Sequence, residues 1–285
     1  MKIGIIILNY NSSDLSIQLL KKIQKFEILN LNVSCIIVDN NSSEKEKTKL
    51  VLYSDYVLFN DNNFGYAKGN NIGFKFINKN NDLDYILFAN PDVVFEEDYL
   101  IKCIDFLEQH NDYGICSSVR TNSIDSNYQQ TQFWTLPDLK QCIKDCFIIG
   151  RKRLAKKNIE LFSSLDTDQT VQVVPGSLFV IRKTTFVDVG MFDEQTFLYF
   201  EENCMAQKLK NINKKEMILA STTYEHNHIK KSKGNKKMYF YYSKSRDYYV
   251  KRYLFNNHYK IGYFVYKFFS IFSRIERNIV EIFNR

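Results

Sequence analysis

Five short apolar runs rich in β-branched residues alternate with segments of helical period, and that alternation leaves few folds open. The runs are "IGIIIL", "SCIIVDN", "YVLFND", "DYILFAN" and "GICSSV", and each reads as a strand buried on both faces. Between them, "SSDLSIQLLKKIQKF" spaces Leu15, Leu19, Leu20 and Ile23 at helical intervals, and Asp98 to Gln109 does likewise. The expected fold class is α/β, a mainly parallel sheet flanked by helices. Sheets of this kind bind ligands beyond the carboxyl ends of their strands.

Polar residues gather at those ends. Strand one ends in "NYNSSD", strand two in "VDNNSSE", strand three in "FNDNNFGYAKGNN" and strand four in "ANPDV". Turn formation and helix capping account for part of this, and Ser12, Ser13, Ser42 and Ser43 are expected as caps. Four clusters at one edge, two with an Asp directly after a buried strand, mark that edge as a candidate site.

Composition bounds the class. At 285 residues, 45% hydrophobic and 25% charged, the chain is an ordinary globular one, large enough for one domain plus an appendage. Its six cysteines show no CxxC pair or metal-finger spacing, so free thiols in a reducing cytosol are expected. The chain opens on a strand-like run rather than a secretion signal. No apolar stretch approaches the ~20 residues that span a bilayer. Charge is divided unevenly. From His226 onward there are 14 Lys and Arg against three Asp and Glu, which leaves 25 against 29 in the first 225 residues. A mildly acidic body with a basic tail implies two parts with different partners.

Five motifs in order carry a resemblance: "ILNYNSSDL", "VDNNSSE", "NNFGYAKGNNIGF", "ILFANPDV" and "VPGSLFVIRKTTFVDVGMFDEQTFLYFEE". On these the chain resembles family 2 glycosyltransferases of the GT-A fold, particularly the bacterial branch containing rhamnosyltransferases. The resemblance runs from residue 3 to about residue 230 and implies a catalytic domain over 1–228, and residues 229–285 are expected as a helical, membrane-associating extension. It also implies inverting, metal-dependent transfer of a sugar from a nucleotide-diphosphate donor, dTDP-rhamnose or a UDP-sugar. The acceptor would be a lipid-linked glycan of bacterial surface polysaccharide synthesis, such as O-antigen or capsule. The chain is then expected in the cytoplasm, peripheral on the inner face of the cell membrane.

The resemblance assigns roles residue by residue. The family's metal motif stands here as Asn90-Pro91-Asp92, with Asp92 as ligand to Mn2+ or Mg2+ and Asn90 lowering the negative charge of the site. A turn begun by Pro91 is the plainer alternative. Asp39 matches a residue that accepts a hydrogen bond from the nucleotide, against the alternative of a helix N-cap. Asn9, Tyr10 and Asn11 line the same pocket, and a loop beneath the donor contributes Gly65, Gly69, Lys68, Asn70 and Asn71. Sugar transfer needs a carboxylate to take the acceptor's proton. The family keeps it in an acidic pair opening a helix, here Glu201 and Glu202, with Glu202 in the place of the base and Cys204 where a second Asp is usual. A helix dipole also favours acids at that point. Gly176 and Ser177, on the strand leading to Arg182, are expected on the acceptor side, and Trp134 either stacks on an acceptor sugar or packs. His226, with His228 as its rival, falls near the metal or diphosphate.

The tail carries 15 Phe and Tyr between Tyr239 and Phe272, interleaved with Lys and Arg. From Ile261 onward Phe264, Val265, Phe268, Phe269, Phe272, Ile275, Ile279 and Ile282 recur at helical spacing, as in a helix lying on an anionic membrane. Packing of the stripe on the body or on a second copy, in a homodimer, is the alternative. No nucleic-acid-binding module is visible, so nucleic acid is not expected as a partner. A catalytically weak module that binds nucleotide-sugar or partner enzymes stays open beside the enzyme. A nucleotidyltransferase would need a Gly-rich, Arg-containing loop after strand one, which "NYNSSD" is not.

Overall fold

The computed structural model describes residues 1–285 except 124–130, 163–164, 228–235, 256–259 and 284–285, with the backbone alone described at 80, 160–162, 260–261 and 274–283. His228 and the side chains of Ile275, Ile279 and Ile282 lie outside the described residues.

Strands β1 (Lys2–Asn9), β2 (Asn32–Asp39), β3 (Val57–Phe59) and β4 (Tyr85–Ala89) lie parallel in the order β3-β2-β1-β4. Helices α1 (Ser13–Ile23), α2 (Glu44–Val51) and α3 (Gly65–Asn81) connect them. Residues Ile3 to Ile7 are buried without interruption because β1 has cover on both faces. Ile3, Ile5 and Ile7 pack with Leu19, Leu20 and Ile23 of α1, while Ile6 packs with Phe74 and Ile77 of α3. Leu15, expected on the buried stripe of α1, is exposed, and Ser16 takes the inward position because its hydroxyl donates to Asn9.

The stretch after Gly65, expected as a loop, is the first turns of α3, with Gly65 as the turn into it and Gly69 inside it. Of these two glycines it is Gly65, with φ +79°, that the turn requires.

The remaining body contains β5 (Val93–Val94), α4 (Glu97–Gln109), β6 (Tyr113–Thr121), α5 (Leu139–Cys146), α6 (Ile148–Phe162), β7 (Gln169–Val171), β8 (Leu178–Arg182), α7 (Lys183–Asp188), α8 (Glu201–Asn211) and β9 (Lys215–His226). β8 lies antiparallel between β4 and β6, β9 runs parallel to β6, and β5 and β7 pair antiparallel with β9. The sheet is therefore parallel in its first half and mixed beyond β4. Strand ends β1, β2, β4, β6 and β9 and the start of β8 share one edge. Phe88 anchors the junction of the halves, with its ring 5.5, 5.1 and 4.9 Å from Phe179, Phe186 and Phe192. Removing such a ring from a core costs about 3–5 kcal/mol.

At the C-terminus, α9 (Lys236–Tyr249) passes through a π-helical turn, Val250–Leu254, before α10 (Lys260–Phe283). Tyr249, Val250 and Tyr266 share a third core with Cys142 and Cys146 of α5 and with Phe200 and Cys204 at the start of α8. Arg246, fully buried, donates to Asp145 (3.1 Å) and to the Tyr266 hydroxyl (3.1 Å), joining α9, α5 and α10. The face of α10 packed inward carries Tyr266, Ser270 and Ser273, whereas Phe264, Val265, Phe268, Ile271 and Phe272 are exposed. All six cysteines are free thiols. No helix among the described residues is long and apolar enough to cross a membrane.

Candidate active site

At the end of β1, Asn9 is fully buried and binds in every direction. Its amide donates to Asp39 (2.7 Å) and Ser42 (3.2 Å), and its carbonyl accepts from the Ser16 hydroxyl (2.9 Å) and the Ser12 N–H (3.2 Å). Asp39, also fully buried, accepts in addition from the Ser42 hydroxyl (2.5 Å) and backbone (3.1 Å). A carboxylate offers about four lone-pair positions, so these three bonds leave roughly one for another donor. The cap position of α2 is held by Ser43, so Asp39 is no helix cap. Ser12 and Ser43 stand at cap positions without side-chain cap bonds, Ser13 lies inside α1, and Ser42 serves Asp39 instead. Asn11, at φ +55°, takes a bond from Ser43 and gives its own N–H to Ser42, which clips the β1 and β2 loops together. Tyr10, half exposed, is left at the rim.

The next layer hangs on Asn40, whose amide donates to the Gly65 carbonyl (2.8 Å). A Cβ on Gly65 would lie 2.1 Å from the Phe197 carbonyl oxygen, so only glycine lets the start of α3 approach that loop. Tyr66 N–H then donates to the same oxygen (2.8 Å), and its hydroxyl to the Gly176 carbonyl (2.6 Å). Asn71, expected at the donor, is engaged with Phe192 and Glu194 instead. Lys68 lies 4.2 Å over the Phe64 ring. Asn70 is 1% exposed, and neither its amide nitrogen nor its oxygen has a partner. A buried amide in that state points to an absent donor–acceptor group.

Beyond β4, Asn90 N–H donates to the Ser177 carbonyl (2.8 Å). Val93 pairs with His226 in the β5–β9 ladder, which sets the Asp92 carboxylate 3.3 Å from His226 Nε2. No group of three or more His, Cys, Asp or Glu suited to a metal occurs among the described residues. The pair at Asp92 is one carboxylate and one imidazole, half-buried at the shared edge.

Glu201 and Glu202 open α8 as expected, aimed by Tyr199 and Phe200 in left-handed conformations (φ +70° and +67°). Glu202 accepts from Gly176 N–H (3.2 Å), and a Cβ on Gly176 would sit 2.7 Å from the same carboxylate oxygen. Burial pushes the Glu202 carboxyl up from its ordinary value, with Arg120 pulling the other way. Glu201, with one oxygen buried and unpartnered, is pushed well up by burial and by the charge of Glu202. Cys204 is a core thiol of the third cluster. Ser177 shares a hydrogen bond with the Tyr224 hydroxyl (2.8 Å), and Trp134 donates from its indole to Asn203 (2.8 Å), holding it beside α8. Arg182, by contrast, ends β8 at the opposite sheet edge, bonded to Tyr85.

Two charged residues were missed in the sequence. Arg120, on β6 opposite Tyr224, donates to Thr131, and its Nε is buried without a partner. Glu216, 3% exposed on β9, accepts from Val174 N–H (2.7 Å), and burial pushes its carboxyl well up. Glu216 and Glu202 line one cavity with Ile115, Val174, Phe179, Phe192 and Met205, roomy enough for about one water. The signal was present: a charge inside a strand-like run, in "SSVRT" and in "KEMIL".

The family description "Glycosyl transferase family 2" matches residues 4–179. Rhamnosyltransferase WbbL of Escherichia coli K12 is 25% identical over 171 residues, 59% of this chain and 62% of WbbL. The low-salt glycan biosynthesis hexosyltransferase Agl10 of Haloferax volcanii is 25% identical over 217 residues, 74% of this chain and 63% of Agl10. The chain thus matches somewhat over three-fifths of the length of these curated relatives. Among solved structures, GalNAc-T7 with UDP, GalNAc and Mn2+ is similar in fold, with a TM-score of 0.62 at 13% identity over 88% of this chain and 48% of that one.

Proposed function

We propose, from the premise that this chain belongs to glycosyl transferase family 2, that it moves a sugar from a nucleotide-diphosphate donor to an acceptor hydroxyl with inversion. One observation carries the reading. Asn90 bonds to Ser177, and the adjacent Gly176 bonds to Glu202, so the Asp92 turn and the acidic pair are linked through two consecutive residues. Diphosphate departure and proton removal can then occur in one cleft.

Asp92 and His226 suit a divalent cation that takes its remaining ligands from diphosphate and water oxygens. When bound, Mn2+ or Mg2+ neutralises the charge of the leaving diphosphate. GalNAc-T7, solved with UDP and Mn2+, supports this choice of cofactor. Asn9, Tyr10, Asn11 and Asp39 form the nucleotide wall, and Asn70, buried with both amide atoms unpartnered, is the further donor contact. Glu202 takes the acceptor proton while the hydroxyl oxygen attacks the anomeric carbon and the bond to phosphate breaks. Its raised pKa brings its basicity closer to the working pH. Burial and the charge of Glu202 both favour the protonated form of Glu201, which disfavours two adjacent buried negative charges. Gly176, Ser177 and Trp134 border the acceptor.

WbbL, named as a rhamnosyltransferase, and Agl10, named as a hexosyltransferase of glycan biosynthesis, support transfer of a rhamnosyl or other hexosyl group; dTDP-rhamnose or a UDP-sugar is the proposed donor and a lipid-linked glycan the proposed acceptor. The exposed aromatic face of α10 and the basic tail support docking of residues 229–285 on the anionic inner face of the cell membrane, with residues 1–228 as the catalytic part. The test is turnover of a panel of dTDP- and UDP-sugars by the wild type and Glu202→Gln. Donor cleavage in the wild type, reduced about 10²-fold or more in the variant with nucleotide affinity retained, is expected. Equal turnover by both proteins would remove Glu202 from the role of base.

A further inference from the structure

The segment that aims the acidic pair does not hold its shape by itself. Met191, Tyr199 and Phe200 all have positive φ, at +61°, +70° and +67°. Such non-glycine conformations persist only where neighbouring structure enforces them. On one side the enforcement comes from α3: Tyr66 N–H holds the Phe197 carbonyl, and Asn71 holds Phe192 and Glu194.

On the other side it comes from the C-terminal helices. The Tyr241 ring stacks on Phe197 with centroids 4.1 Å apart and planes inclined by 26°. Tyr242 meets Tyr199 and Phe200 edge-on at 5.4 and 5.3 Å. The Ser245 hydroxyl donates to the Leu198 carbonyl (3.0 Å). Tyr248 (3.1 Å) and Tyr253 donate to Asp193, and Gln207 of α8 donates to the Tyr249 hydroxyl (2.9 Å). α9 is itself locked in place by buried Arg246 against α5 and α10.

We infer that Tyr241, Tyr242 and Ser245 of α9 are positioning residues for the Glu201–Glu202 pair, so that the C-terminal helices complete the active site as well as extending the chain. The inference rests on the function proposed above. It gives Tyr241 and Tyr242 of α9, which pack on Phe197, Tyr199 and Phe200, a task distinct from that of the exposed rings Phe264, Phe268 and Phe272 of α10.

The test compares full-length wild type, Tyr241→Ala, Tyr241→Phe and Ser245→Ala. Three readouts are taken: donor turnover, calorimetric affinity for UDP and dTDP with Mn2+, and hydrogen exchange of amides 197–204. Tyr241→Ala is expected to lose at least tenfold in turnover while nucleotide affinity stays within twofold. Its amides 197–204 should exchange at least tenfold faster, with Ser245→Ala showing a smaller change of the same kind. Tyr241→Phe, which keeps the stacked ring, should restore turnover. Wild-type turnover and exchange in Tyr241→Ala would overturn the inference, as would a loss that follows nucleotide affinity alone. If wild type neither binds nor cleaves any donor, the functional reading fails by itself. The exchange of 197–204 then still decides whether α9 holds the segment.

Discussion

Gly176→Ala separates the position of the base from the stability of the fold. Gly176 has no left-handed backbone to lose, so alanine is admitted there without conformational strain. Its methyl group would lie 2.7 Å from the nearer Glu202 carboxylate oxygen and 3.0 and 3.1 Å from Cγ and Cδ. Ordinary contact begins near 3.4 Å, so the carboxylate must retreat by about 0.7 Å and its bond from Gly176 N–H must lengthen. The obstructed atoms are the free end of a side chain, so the fold should lose no more than the ~1 kcal/mol of one hydrogen bond. Catalysis is more sensitive, because a misplacement of about 1 Å costs on the order of 10²-fold. A shift of this size predicts a fall of about 10- to 100-fold in kcat, some 1.4–2.7 kcal/mol of barrier. Donor turnover, nucleotide calorimetry and thermal melting on one preparation would test it. Turnover within twofold of wild type would refute the placement of Glu202 as base, and a parallel collapse of melting temperature would refute the claim that only the carboxylate moves.

Gly65→Ala should behave in the opposite way, because its φ is +79° and its obstruction is the Phe197 backbone carbonyl. Left-handed strain of about 1–2 kcal/mol and a lost backbone bond of about 1 kcal/mol predict a melting temperature lower by roughly 3–5 °C for a chain of this length, read by calorimetry. Glu216→Gln should show a pH-dependent gain. The folded pKa of Glu216 is raised above the unfolded value near 4.3, so wild type loses stability as pH rises from that value through the folded one, and glutamine does not. Denaturant midpoints should coincide near pH 4 and separate in favour of the variant at pH 8. An identical difference at both pH values would contradict a buried, neutral Glu216.

The legible part of this chain was its first half, for a physical reason. Strands β1, β2 and β4 have neighbours on both sides and helices on both faces, so they appear as unbroken apolar runs whose polar ends line up at one edge. The placement of Asn9, Asp39, Asn90 and Asp92 at that edge follows from this pattern, while their roles came from the resemblance. The second half resists the same reading. The antiparallel entry of β8 is set by pairing register, which leaves no periodic mark, yet it brings Ser177 beside Asn90. "GYAKGNN" has turn composition but folds as helix, because Gly69 and Gly73 let α3 lie close on Leu8, Val38 and Ile6. Asn71 serves a loop more than 120 residues away, a contact that local sequence does not announce. Arg120 and Glu216 were hidden in apolar strands, where a charge is an exception that only the tertiary pocket explains. Among the tail's aromatic residues, Tyr241, Tyr242, Tyr248 and Tyr253 hold the 192–200 segment, Tyr249 and Tyr266 are core, and Phe264, Phe268 and Phe272 are exposed on α10.

The central claim is that one sheet edge binds a nucleotide diphosphate through a cation held at Asp92. Calorimetric titration of UDP and dTDP, with and without Mn2+, into wild type and Asp92→Ala tests it most directly. Metal-dependent binding of one nucleotide by the wild type, lost in Asp92→Ala, is the predicted result. Binding indifferent to both Mn2+ and Asp92, or no binding of either nucleotide, would contradict it and leave Asn90-Pro91-Asp92 as a turn.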